Sequence, residues 1–415
     1  MTDPSGPFGA KRSYSRLFAA TVVALVSTGV GTVGLALLSY EIAGGEAGAV
    51  LGTALAIKTG TYVVLAPLAA AVVGHLPRRA LLVRLDLIRA AIALAFPFAT
   101  RAWEVDALIF LFQAASAAFI PTYLATVSDL LTDEKDYARA LAKSRLAHEL
   151  DNAASPMLAA LMLALVPFQG LFAVAAMGFL VSAVIVSRTP LPPPATDVRR
   201  DLVGALTRGL RIHLGTPRLR GLIALNLCAA LGIAMVIDNT VVLVHGRFGL
   251  GGRATTIALG VFGLGSALAA LATPRLLDRV PDRLVMLAGA ALVSAALLVG
   301  AAVSRPGLML ALWLVLGFGA ALVITPAGRL LRRSSDTADR PAVYAAHFAL
   351  SHVCFLIAYP TAGWLGVWAG LPFTFVALGV LALAALLAAS RLWPHADPAT
   401  GETDDRVPDE VGLVR

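Results

Sequence analysis

Apolar stretches long enough to cross a bilayer fill this chain, and the whole series runs twice. Leu76-Pro77-Arg78-Arg79 recurs as Val280-Pro281-Asp282-Arg283 at an offset of 204 residues. His148 and Pro156 recur as His352 and Pro360 at the same offset, and Pro121 recurs as Pro326 at 205. Each pair sits in a similar hydropathy setting. A duplicated apolar chain constrains the fold to two related halves in a membrane, with room for a site where they meet.

Lipid has to be the solvent. Of 415 residues, 58% are hydrophobic and 14% charged, with a mean hydropathy of +0.82, against about a quarter charged in soluble domains. Spans of roughly 20 apolar residues can be placed twelve times. The first six cover about 17–42, 48–74, 79–99, 105–128, 140–166 and 170–187. The second six cover about 221–245, 254–276, 284–304, 307–328, 341–368 and 371–390. The expected fold is an all-α membrane protein, with twelve transmembrane helices in two six-helix bundles related by an internal repeat. Its expected divisions are a cytoplasmic segment 1–16, an N-terminal bundle 17–188, a basic cytoplasmic linker 189–220, a C-terminal bundle 221–392 and a tail 393–415. The linker carries Pro190, Pro192, Pro193 and Pro194, then Arg199, Arg200, Arg208, Arg211, Arg218 and Arg220, and part of it reads as a surface helix. The tail, with Glu402, Asp404, Asp405, Asp409 and Glu410, has the acidic composition of a disordered cytoplasmic segment. The first apolar run follows Lys11, Arg12 and Arg16 without a convincing cleavage site, so it reads as a span and not as a removed signal peptide.

A formal charge of +8 does not make nucleic acid the expected partner, because the charge is distributed by loop. With the amino terminus inside, only Arg101, Arg247, Arg253 and Arg305 fall in outside loops and Lys58 lies within a span, which leaves 28 of the 33 basic residues on or toward the cytoplasmic side. That asymmetry sets orientation and puts both termini in the cytoplasm. Cys228 and Cys354 lie in apolar runs and read as packing residues, not a disulfide framework.

Three motifs resemble enzyme sites and fail as chemistry. Gly29-Val30-Gly31-Thr32-Val33-Gly34 matches a dinucleotide fingerprint, but lies inside a span instead of at a strand-to-helix turn. The stretch from Gly52 to Lys58-Thr59 resembles a phosphate loop, but Ile57 stands where its second glycine must be. His148-Glu149-Leu150-Asp151-Asn152 resembles a zinc-protease helix, but Asn152 replaces the second histidine ligand. No nucleophile–base set, cofactor site or metal site is expected.

Ionisable groups within spans are expensive in lipid and normally face the bundle interior or a wet cavity. Lys58 lies ten residues past Gly48, about 15 Å deep, and reads as a partner for substrate charge or for proton coupling. Asp86 and Arg89 share a helix face three residues apart and can pair, a structural or gating arrangement more than a substrate contact. Arg145, His148, Glu149, Asp151 and Asn152 make the fifth span the most polar. Glu149 and Asp151 are candidate coupling residues, since a carboxylate in a partly desolvated cavity exchanges protons nearer neutrality. Asp238, in the outer half of the seventh span, and His148 and His352 complete the coupling candidates. Gln113, Asn226, His347 and Ser351 are candidate cavity-lining residues.

Twelve spans in two parallel halves, a basic middle linker, and a short basic turn after spans 2 and 8 resemble the major facilitator superfamily over roughly residues 15–392. The turn in that family reads roughly Gly-x-x-x-Asp-Arg-x-x-Arg-Arg. The first copy here keeps Arg78 and Arg79 but has Gly74 and His75 where Asp and Arg are usual; the second keeps Asp278, Arg279 and Arg283. In the family this turn helps hold the outward-facing state through charge contacts between halves, and Gly74 weakens that latch. The stretch from Phe119-Ile120-Pro121 to Ser155-Pro156 resembles bacterial exporters of the drug and siderophore branch. The resemblance implies alternating access by a monomer in a bacterial cytoplasmic membrane. With the buried carboxylates and no nucleotide-binding domain in view, the expected function is proton-coupled efflux of a small organic molecule; a siderophore or metal-ion exporter is one alternative, and a non-transporting sensor or scaffold, favoured by the degenerate turn at Gly74, is another.

Overall fold

The computed structural model describes residues 7–73, 77–131, 165–191, 202–336 and 339–393, with isolated positions between 133 and 163. The first half contributes α1 (Pro7–Ala43), α2 (Ala47–Val73), α3 (Arg78–Ala95), α4 (Ala102–Leu130) and α5 (Gln169–Ser187). A linker helix, α6 (Leu202–Gly215), leads to the second half. That half holds α7 (Pro217–Val241), α8 (Gly252–Leu277), α9 (Asp282–Gly300), α10 (Pro306–Ile324), the short α11 (Ala327–Arg333), α12 (Arg340–Trp368) and α13 (Leu371–Leu392). No strand occurs among the described residues.

Nine stretches of the described residues are long and apolar enough to cross a membrane. The first, Gly9–Thr61, runs 53 residues, about 80 Å as one helix and more than twice a hydrocarbon core. A 3-10 turn at Gly44–Glu46, with Gly44 at φ 51, divides it into α1 and α2. α3 falls outside the nine because it carries Arg78, Arg79, Arg84, Asp86 and Arg89, yet it is an 18-residue helix as expected. The expected span 140–166 lies largely outside the described residues.

α3 is inverted relative to a helix of a soluble protein. Asp86, Arg89, Ala90 and Ala93 point into the bundle, while Leu87, Ile88 and Leu94 are 45%, 47% and 48% exposed. Similar exposed apolar side chains on α5 (Met177, Val181, Val184) and α13 (Val376, Val380, Leu387) make sense only against acyl chains.

The repeat is three-dimensional. α3 and α9 begin 204 residues apart, at Arg78 and Asp282, each after a proline, Pro77 and Pro281. α4 and α10 begin at Ala102 and Pro306, the same 204 apart, each after an extended arginine, Arg101 and Arg305. One contact is repeated with its charges exchanged. Arg78 at the start of α3 lies 3.0 Å from Asp129 near the end of α4. At the same offset, Asp282 at the start of α9 lies 3.1 Å from Arg333 at the end of α11, with Arg329 at 3.5 Å. The first pair is an ionic contact not aligned as a hydrogen bond; in the second, the Arg333 guanidinium donates to the carboxylate.

Helix ends define two faces. Lys11, Arg78, Arg79, Arg188, Arg208, Arg283 and Arg333 gather at ends on the face where α1 begins, called here the basic face. Arg16 donates to the carbonyl of Arg188 after α5 at 3.5 Å, which fixes that end on the same face. On this face α6 lies against α12: Gly209 packs on the carbonyl of Ala342 with no room for a side chain, and Arg208 pairs with Asp339 at 2.7 Å.

Candidate functional site

The halves meet along α2 and α12, and small residues let them meet closely at the face opposite the basic one. Gly363 of α12 packs directly on the backbone carbonyl of Gly48, and a Cβ at Gly52 would come within 2.6 Å of the Tyr359 carbonyl oxygen. Asn239 of α7 fills the junction. Its amide donates to the Ala362 carbonyl at 3.1 Å, and its Oδ1 occupies the space a side chain at Gly48 or Gly366 would need. Trp364 of α12 donates to Thr53 of α2 at 3.1 Å. Among the described residues no ion pair joins the two halves: Lys11–Asp136, Arg78–Asp129 and Asp86–Arg89 lie in the first, Asp282 with Arg329 and Arg333 in the second, and Arg208–Asp339 joins the linker to α12. The opposite face is thus sealed by backbone contact, without a salt bridge between these residues.

Farther along the seam stands Lys58. It is partly buried on α2 and lines a small cavity of about 30 Å³ together with Ser27, Thr28 and Thr32 of α1, Phe112 of α4, and Phe179 of α5. That volume admits about one water molecule. Across the seam, His352 of α12 lies within electrostatic reach of Lys58. The His352 Nδ1–H donates to the Phe348 carbonyl at 2.8 Å, with the Phe348 ring 4.0 Å away.

The other expected positions fall into distinct groups. Asn226 of α7 donates to Ser351 at 2.9 Å, and Ser351 lies 3.5 Å from the His347 Nε2, so three of the four candidate cavity residues form one chain. Gln113 is buried in α4, its amide nitrogen lacking an acceptor among the described residues. Asp86 and Arg89 form a buried pair inside the first half. Ser182 of α5 donates to Asp86 at 2.8 Å, and the Arg89 guanidinium sits 4.1 and 4.9 Å over the rings of Phe119 and Phe179. The pair thereby ties α3, α4 and α5 together. Asp238 is fully buried in α7 beside Asn239, at the sealed face. His148, Glu149, Asp151 and Gly74 lie outside the described residues. Of the basic-turn residues, Arg283 donates to the carbonyls of Trp393 and Ser390 at 2.8 and 3.0 Å, capping α13, while Asp278 and Arg279 sit in the turn after α8.

One residue was not marked by the sequence. His213, on the apolar face of α6, is buried against His347, with ring centroids 5.5 Å apart. Neither ring nitrogen has a partner among the described residues, and burial lowers its pKa to about 4. An amphipathic helix directly after a proline-rich stretch was the available signal; that its histidine faced inward was not.

A family model described as Major Facilitator Superfamily matches residues 17–281 and 244–414, overlapping stretches that span nearly the whole chain. The chain belongs to the major facilitator superfamily. Solved structures of this fold agree over nearly all of their lengths. A bacterial homolog of the human lysosomal transporter Spinster, inward-facing and unoccupied, superposes with a TM-score of 0.72 at 12% identity, covering 95% of this chain and 100% of that one. The nucleoside transporter NupG, in a mutant form, gives 0.70 at 13% identity, covering 92% and 100%. A POT family transporter in complex with 5-aminolevulinic acid gives 0.68 at 14% identity, covering 91% and 95%. No curated protein sequence matches this chain. As a member of the superfamily it is a multi-pass membrane protein of the secondary transporter class, and small molecules are what such proteins carry.

Proposed function

We propose that this protein is a proton-coupled exporter of small organic molecules that works by alternating access. In this reading it sits in a bacterial cytoplasmic membrane, acts as a monomer, and keeps both termini inside. The observation that carries the reading is Lys58 on one half within electrostatic reach of His352 on the other, with the seam sealed toward one face by Gly48, Gly52 and Gly363. A cation on one half and a titratable ring on the other change their separation whenever the halves rock. That links the protonation of the site to its conformation. The basic face holds the Lys and Arg excess that marks the cytoplasmic side, so in this reading the sealed face is the outer one.

The test begins with a broad compound-sensitivity screen of cells lacking or overproducing the protein, followed by flux of each hit in proteoliposomes. An imposed pH gradient is expected to drive accumulation of the hit, and Lys58→Ala to reduce that driven flux by about tenfold or more, the scale of a lost charge–charge coupling. Flux that ignores the gradient in both wild type and Lys58→Ala would remove the coupling.

A further inference from the structure

Asp238 is the one carboxylate in the described second half that is wholly enclosed and wholly unpartnered. It is 0% exposed, and neither carboxyl oxygen has a hydrogen-bond partner among the described residues. Its surroundings are the outer seal itself. The backbone carbonyl of Asp238 would meet a Cβ on Gly48 at 3.5 Å, and the next residue, Asn239, plugs the α2–α7–α12 junction. The titratable group in reach of its carboxyl is Tyr359 of α12. Among the described residues no lysine, arginine or histidine on any helix packed against α7 places a charge on it. An ionised carboxylate with neither donor nor counter-ion is prohibitively costly in such a place, whereas the neutral acid fits.

The helix that carries Asp238 runs outward to a cavity. α7 ends at Val241 and continues as a π-helical turn, Val242–Arg247, a form often found where a helix yields. That turn carries His245, which with Tyr40, Glu41 and Arg253 lines a cavity of about 480 Å³ on the outer face. His245 stands seven residues along the helix from Asp238, about two turns.

We propose that Asp238 is a proton-binding site that latches the outer gate: it takes a proton from the outer solution as the gate shuts and returns it when the gate opens. The neutral acid can be enclosed between α2, α7 and α12. The carboxylate cannot, so it stays hydrated and holds the helices apart. Protons therefore stabilise the outer-closed state, and raising the pH favours opening. The inference rests on the alternating-access reading but adds a group and a location to it that Lys58 and His352 do not supply.

Spin labels at Glu46 and Trp368, exposed at the outer ends of the two halves, report the gate in lipid nanodiscs with the buried Cys228 and Cys354 replaced by alanine. Between pH 5.5 and 8.5 the long-distance population of the otherwise wild-type protein is expected to grow by about fivefold or more. Asp238→Asn and Asp238→Leu, each permanently neutral, are expected to show the short distance throughout, and Asp238→Glu to restore the response. Two neutral variants of different shape guard against one that fails to fold. A pH response kept by either neutral variant, or absent from the wild type, overturns the latch. Proteoliposome flux separates this from the broader reading: gated flux with a pH-blind outer distance removes the latch alone, whereas a protein that moves no compound removes alternating transport.

Discussion

At the scale of single residues, burial in this protein decides which charges can exist. His213 belongs to α6, outside the membrane-spanning helices, and its ring is enclosed with a pKa of about 4 against 6.5 in water. The unfolded or undocked linker therefore binds a proton between those values that the docked one refuses. The stability of docking is full above pH 6.5 and is lost progressively as the pH falls toward 4, by on the order of 3 kcal/mol in total. Hydrogen exchange of residues 202–215 should accelerate on acidification from pH 7 to 5 beyond the intrinsic pH trend. In His213→Phe, which keeps the stack on His347 but cannot titrate, that extra acceleration should vanish. If it persists unchanged, His213 is not the group that senses the acid.

At the scale of elements, the duplicated ion pair offers a test that uses one half as a template for the other. Arg78→Asp would set two acids together at the α3–α4 corner, where Arg78 is only 8% exposed. A loss of about 2 kcal/mol is expected, between the values for exposed and buried pairs. Adding Asp129→Arg would rebuild the order found at Asp282 and Arg333 and should return most of the thermal midpoint measured in detergent. If the double variant melts no higher than the single one, the corner depends on arginine at residue 78 for packing and not for charge.

The same corner shows what the sequence could and could not reveal. Helix spacing was legible because lipid forces a length of about 20 apolar residues on every span, and even α3 was placed despite its charges. The exchanged pair was not legible, since Asp282 against Arg78 looks like a mismatch until Asp129 and Arg333 are seen to have changed with it. Within the candidate site, Lys58 was conspicuous as a cation in an apolar run, Asn226 as a polar residue in another, and His347 and Ser351 by their spacing of four on one helix. The role of Asn239 as a plug, and the closeness of Asp238 to the outer seal, depend on Gly48, Gly363 and Gly366, three glycines distant in the chain from α7. Sequence spacing along one helix carries no record of which neighbour lies across the seam.

At the scale of the whole molecule, orientation follows from where cations cannot go. Arg208 on α6 and Arg332 on α11 are exposed at the basic face, while Arg253 at the start of α8 and Arg305 before α10 are exposed at the other. Cytoplasmic retention of Lys and Arg near span ends predicts which face is inside. Single cysteines at these four positions, in the background lacking Cys228 and Cys354, should divide cleanly toward a membrane-impermeant maleimide. Those at Arg253 and Arg305 should react in intact cells, and those at Arg208 and Arg332 only after permeabilisation. A fully inverted pattern would keep the fold and reverse the direction assigned to the seal at Gly48 and Gly363, making the enclosed Asp238 answer to the cytoplasm. Labelling of Arg208 and Arg332 from different sides would break the alternation of helix ends on which both halves are built. Under the alternating-access proposal, fixing the side of these four arginines also fixes which compartment the seal at Gly48 and Gly363 closes against.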